Sequence, residues 1–116
     1  MSEKFKAGKV DDFKDGVMRE VVLGDREILI LRLGGAWYAA DARCPHKKAR
    51  LVTGKLEGTV VTCPFHGSKF DLKDGSVLNY VGMTGFVLKS ARLTGMVKSL
   101  NSYKVEAEGE SVTVEI

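Results

Sequence analysis

Two short segments hold every cysteine, histidine and proline of the 116-residue chain: Cys44-Pro45-His46 and Cys63-Pro64-Phe65-His66-Gly67. Sixteen residues separate His46 from Cys63, so the pattern is C-x-H followed by C-x-x-H. Thiolate and imidazole are the soft and borderline ligands of protein metal sites. Four unrelated core residues have no reason to share two loops with both prolines, so the set reads as a site for metal rather than as packing.

Charge counting narrows the chemistry. Two thiolates and two imidazoles suffice for one tetrahedral zinc or for the two irons of a [2Fe–2S] cluster. Two ferric ions, two sulfides and two thiolates sum to a neutral core when both histidines are neutral. Four thiolates would leave the same core with two negative charges and make it harder to reduce. Histidine ligation of one iron therefore raises the reduction potential, to roughly −150 to +300 mV. Imidazoles on ferric iron also lose their outer protons more readily, which couples electron transfer to pH. A Cys₂His₂ zinc ribbon is the rival reading, although C-x-H is an unusual knuckle and the tail Gly67-Ser68-Lys69-Phe70-Asp71 has no role in one. A disulfide is the third reading, disfavoured in a chain without a secretory signal.

The longer string C-P-H-x16-C-P-F-H-G-S-K-F-D-L-x-D-G resembles the signature of the Rieske [2Fe–2S] family. Leu56-Glu57-Gly58 and Val60-Val61 sit where Rieske ferredoxins place the strand entering the second loop. The likeness is strong from Trp37 to Val77, and elsewhere only the strand rhythm fits. It implies that Cys44 and Cys63 hold the inner iron and that His46 and His66 hold the outer one. It implies further that Pro45 and Pro64 stiffen the turns, and that Gly67 lets the backbone approach the cluster sulfides. In high-potential members a serine two residues after the second histidine and a tyrosine two further on donate hydrogen bonds to cluster sulfur. Those positions are Ser68 and Phe70 here, so one of the two donors is kept. Capping of its own turn is the other role open to Ser68.

The function implied is that of a soluble Rieske-type ferredoxin, a one-electron carrier with a [2Fe–2S] cofactor and no substrate chemistry of its own. Its partners would be a reductase and a terminal acceptor. Two readings from other classes stand beside it: a Rieske-like subunit fixed in a larger reductase or oxygenase, and a zinc-stabilised interaction module.

Length and composition agree with a small carrier. The chain reads as one domain over 1–116, with cluster-binding loops at about 43–50 and 62–71. Met1-Ser2-Glu3-Lys4-Phe5 carries no signal peptide and no long apolar run follows, so the expected location is cytoplasmic with no membrane contact. Charge is uneven. Arg43, Lys47, Lys48, Arg50 and Lys55 are the charged residues from Ala42 to Leu56, while Glu106, Glu108, Glu110 and Glu115 face no basic residue in the last eleven positions. A positive face there, with Lys47 and Lys48 beside the cluster, would favour the reduced state and steer an acidic partner. A solvated basic loop is the plainer account. Nucleic acid is not expected as a partner, since a net charge of +3 without aromatic interleaving is a poor footprint.

The elements that must position these loops are strands. Val17–Leu23 and Glu27–Leu33 are β-rich runs joined at Gly24-Asp25-Arg26, and Gly34-Gly35 turns the chain into Ala36–Ala40. Thr59–Thr62 enters the second loop, Lys69–Leu72 leaves it, and Lys73-Asp74-Gly75-Ser76 is a hairpin turn. Ser102–Ala107 and Ser111–Ile116 form a final hairpin. Trp37 and Tyr38 read as core and strand-face residues. The pattern predicts an all-β fold, a Rieske-like antiparallel β-sandwich with a small inserted cluster-binding subdomain. The segment 79–100 departs from the family, lacking any proline after Pro64 where small Rieske ferredoxins carry a proline loop. Its apolar residues, including Tyr80, Met83, Phe86, Val87, Leu88 and Met96, suit an alternative cover or a docking surface.

Overall fold

The computed structural model describes residues 3–44, 49–64, 67–79 and 100–116. Pro45, His46, Lys47, Lys48 and His66, and the part of the 79–100 segment from Tyr80 to 99, lie outside the described residues.

Ten strands run antiparallel in two sheets: β1 (Lys4–Lys9), β2 (Met18–Leu23), β3 (Arg26–Leu33), β4 (Ala36–Asp41), β5 (Lys55–Glu57), β6 (Val60–Thr62), β7 (Lys69–Asp71), β8 (Val77–Asn79), β9 (Ser102–Glu108) and β10 (Ser111–Glu115). The larger sheet has the order β1-β10-β9-β4-β3-β2, and the smaller has β5-β6-β7-β8. The all-β expectation holds. The sequence reading did not draw β1, and it had β5 only as Leu56-Glu57 through the family resemblance. Lys4-Phe5-Lys6-Ala7-Gly8-Lys9 carries charge and glycine where β-branched residues were sought, and Lys55-Leu56-Glu57 is only one turn of pleat long.

The sandwich is one sheet curled on itself. Strand β9 pairs with β10 through five residues but with β4 only at Tyr103 and Ser102. The sheet bends there, so its two end strands line the same interior. Phe5 and Ala7 of β1 and Val21 and Leu23 of β2 pack with Phe13, Ile28, Ile30, Ala39, Val112 and Val114. Trp37 meets Phe13 edge-on, centroids 5.5 Å apart, which is core packing of the expected kind.

Strand β3 joins this core to a second one. Its run Ile28-Leu29-Ile30-Leu31 is fully buried. Because successive strand residues face opposite sides, Ile28 and Ile30 enter the first core while Leu29 and Leu31 face the inserted subdomain. A strand covered on both faces reads as a continuous apolar run, as this one does. Leu29, Leu31, Ala40 and Ala42 meet Leu51, Val61, Phe70, Leu72 and Val77 from the smaller sheet and its loops. That second core is where the cysteines lie.

Candidate metal centre

Each cysteine follows a strand by at most three residues and opens a loop closed in the same manner. The Cys44 N–H donates to the Ala49 carbonyl at 2.9 Å, and the Cys63 N–H donates to the Ser68 carbonyl at 2.7 Å. Both bonds therefore reach five residues forward. In the first loop, Leu51 N–H donates to the Ala42 carbonyl at 3.0 Å, and Arg43 and Arg50 form an antiparallel bridge. In the second, Gly67 N–H donates to the Cys63 carbonyl at 3.2 Å, with Gly67 at φ +73. That left-handed conformation is open to glycine at little cost, which is a local reason for glycine at this position.

The structure brings Cys44 and Cys63 into one buried cluster, 1% and 3% exposed, and neither is in a disulfide. Phe70 and Ser68 are buried with them. Phe70 stands opposite Val61 in the β6–β7 pairing, and its ring belongs to the cysteine-bearing core. Pro64 is exposed beside Cys63. The remaining ligand candidates, His46 and His66, and the neighbours Pro45, Lys47 and Lys48 are among the residues not described, and among the described residues no three Cys, His, Asp or Glu side chains converge. Two shielded thiols on matched turns suit the cysteine half of a Cys₂His₂ donor set, which fits either a [2Fe–2S] cluster or zinc by donor chemistry.

Four interactions that sequence reasoning missed hold the loops in place. Gly54 ends the turn after the first loop, and a Cβ there would overlap the carbonyl oxygen of Thr62, the residue just before Cys63. Arg43 Nε donates to Glu27 Oε2 at 3.0 Å. Arg50 donates through Nη2 at 2.6 Å and Nε at 3.0 Å, both to Glu20 Oε2. Tyr103 OH donates to Asp41 Oδ1 at 2.5 Å, while Asp41 Oδ2 accepts from Asn101 N–H at 2.9 Å. Asp41 thus ties the strand leading to Cys44 to the start of β9. A clue to the arginine pairs was present in the sequence: two glutamates interrupt the apolar β2–β3 hairpin, and the basic run has no acid of its own.

Of the five basic residues from Arg43 to Lys55, two are neutralised against the β2–β3 hairpin. The Glu20 carboxylate raises the Arg50 pKa above its ordinary value, first through the hydrogen bond and then through its charge. The residues after the second loop are structural. Asp71 Oδ1 accepts from Thr59 Oγ1 at 2.9 Å and from Lys73 N–H at 3.0 Å, which fixes the hairpin turn. Asp74 accepts from Ser76 N–H at 2.9 Å, and the Ser76 hydroxyl, followed by that backbone bond, lowers its pKa. No helix among the described residues is long and apolar enough to cross a membrane.

Comparison with known proteins agrees with this architecture. Apoptosis-inducing factor 3 of Mus musculus is 33% identical over 105 residues, covering 90% of this chain but only 15% of that protein. The ferredoxin component of the naphthalene 1,2-dioxygenase/salicylate 5-hydroxylase systems of Ralstonia sp is 29% identical, with 95% of this chain and 92% of the relative covered. Among solved structures, a complex of reduced oxygenase and oxidized ferredoxin in carbazole 1,9a-dioxygenase matches with a TM-score of 0.74 and 27% identity, covering 96% of this chain and 91% of the matched one. The Rieske [2Fe-2S] domain family matches residues 3–104, and the chain belongs to that family.

Proposed function

We propose that the chain is a ferredoxin: a soluble, cytoplasmic one-electron carrier that passes electrons from a reductase to an oxygenase-type acceptor. Cys44, His46, Cys63 and His66 are its metal ligands, with Pro45, Pro64, Gly67, Ser68, Phe70, Lys47 and Lys48 surrounding them. The observation that carries this reading is the pair of buried thiols on identically closed loops within one core. When bound, a [2Fe–2S] cluster supplies a one-electron couple at a potential raised by histidine ligation. The protein's part is to shield the thiolate side from water, to order the two loops, and to present the loop tips to a partner. Relatives named as ferredoxin components, matching over nearly their full length, support a free carrier. The test is single turnover. Chain reduced anaerobically should reoxidise on mixing with an oxygenase component and should turn over no substrate alone.

A second reading is favoured by one observation. The chain spans 15% of the first curated relatives it matches, so its counterpart there is one part of a larger protein. As a fixed module it would copurify with a reductase or oxygenase through size-exclusion chromatography at low micromolar concentration. As a free carrier it would elute alone.

A further inference from the structure

Glu20 and Glu27 lie on one face of the β2–β3 hairpin, the face turned toward the cysteine-bearing core. Glu20 is the partner of Leu29 and Glu27 the partner of Val22 in the antiparallel register. Opposite residues in such a pair share a face, as do alternate residues of one strand, so Glu20, Glu27 and Leu29 stand on the same face. Two arginines meet them. Arg43 and Arg50 are the cross-strand pair at the base of the first loop, immediately outside the Cys44–Ala49 closure. Glu27 also accepts the Ala42 N–H on its backbone carbonyl at 3.2 Å. The hairpin therefore grips both stems of the loop, at Ala42-Arg43 and at Arg50.

The two pairs are unequal. Arg43 and Glu27 are 43% and 39% exposed, so water screens them and their worth to stability is small. Glu20 is 13% exposed, and its Oε1 is buried with no hydrogen-bond partner among the described residues. All of the carboxylate's pairing thus falls on Oε2 and Arg50. Arg50 itself is 53% exposed, so the pair is shielded on its carboxylate side only and water still screens part of its charge.

We propose that Glu20 and Glu27 are positioning residues for the cluster: through Arg50 and Arg43 they fix the first loop and balance its positive charge, and so set the reduction potential. The proposal rests on the ferredoxin reading above. Removing a carboxylate takes a negative charge from beside the loop and leaves the arginine in place, which favours the electron-loaded state. Removing the arginine instead leaves a carboxylate uncompensated and disfavours it. Two opposite shifts, cancelling when both partners are removed, are the mark of charge balance; a scaffold role alone gives neither.

The experiment is voltammetry on anaerobically purified holoprotein, with iron and sulfide content measured on the same samples. Glu20→Gln should raise the ratio of reduced to oxidised protein at a fixed poise by about three- to tenfold. Arg50→Gln should lower it by a similar factor, and Glu20→Gln/Arg50→Gln should return it to within about twofold of wild type. Glu27→Gln removes an exposed charge, keeps the fold, and should give a smaller rise. Unmoved potentials in cluster-loaded Glu20→Gln and Glu27→Gln, or shifts of one sign for Glu20→Gln and Arg50→Gln, overturn the proposal. Should Glu20→Gln fail to load, the sign at Glu27→Gln decides alone. Wild type without iron and sulfide would instead overturn the ferredoxin reading.

Discussion

Gly54 is packed against the carbonyl of Thr62 so closely that no side chain fits between them. The contact joins the exit of the first cysteine loop to the residue preceding Cys63. The adjacent pairing of Lys55 with Thr62 continues it into the β5–β6 hairpin. This backbone contact holds the exit of one loop against the entrance of the other.

Gly54→Ala should accordingly be a loop-separating substitution. Overpacking of a tight site costs about 1–3 kcal/mol, and here the only relief is to move the Thr62 strand end away. Thermal denaturation should show the loss, and iron content per chain should fall with it. An alanine variant with wild-type melting temperature and full metal content would show that the two loops are not coupled through this contact.

Replacing Cys44 or Cys63 by serine should abolish metal binding and lower stability together, because ligand loops are ordered at the expense of binding free energy. Either variant retaining visible absorption at wild-type intensity would exclude that cysteine as a ligand.

The buried position of Phe70 sharpens the question of tuning. A hydroxyl introduced by Phe70→Tyr enters a core with no exposure. If it donates to sulfur, the potential rises and stability stays near wild type. If it is stranded, stability falls by about 1–3 kcal/mol with no change in potential. Hydrogen-bond donation to the cluster predicts the first outcome, and it predicts a lowered potential for Ser68→Ala, whose hydroxyl-bearing residue is 1% exposed. An unmoved potential in Ser68→Ala assigns Ser68 to the turn alone.

Tyr103 links pH to stability. Burial, followed by the bond to Asp41, raises its pKa above the ordinary value of 10.0, with Arg26 opposing. The folded protein therefore holds this proton more tightly than the unfolded chain. The stability contributed is complete below about pH 10 and is lost as pH rises through the raised pKa. Tyr103→Phe should cost about 1 kcal/mol at neutral pH. Its deficit in melting temperature against wild type should hold constant to about pH 10 and shrink above it. A deficit independent of pH would show that the hydroxyl does not titrate in this window.

Much of this was legible in the sequence. The six residues of the two loops stand out by type and spacing, and the strands Met18–Leu23, Arg26–Leu33 and Ala36–Asp41 follow from apolar runs broken at Gly24-Asp25 and Gly34-Gly35. The hairpin at Asp74-Gly75 was equally plain. What the sequence hid is long-range. Arg50 reads as part of a basic run until β2, thirty residues earlier, brings Glu20 to it. Gly54 has φ −83, so no turn preference marks it, and only the approach of Thr62 explains it. Tyr103 and Asp41 are 62 residues apart and meet only because β9 returns beside β4. Spacing along the chain reveals ligands, whereas the groups that position them come from elsewhere in the fold.

A redox-active iron–sulfur cluster held by the two cysteine loops is tested most directly by metal content and colour. Chain purified anaerobically should be red-brown and contain two irons and two acid-labile sulfides per polypeptide, with visible absorption that bleaches on dithionite and returns in air. Colourless protein holding one zinc per chain and no sulfide would contradict it and leave the zinc-stabilised module as the reading.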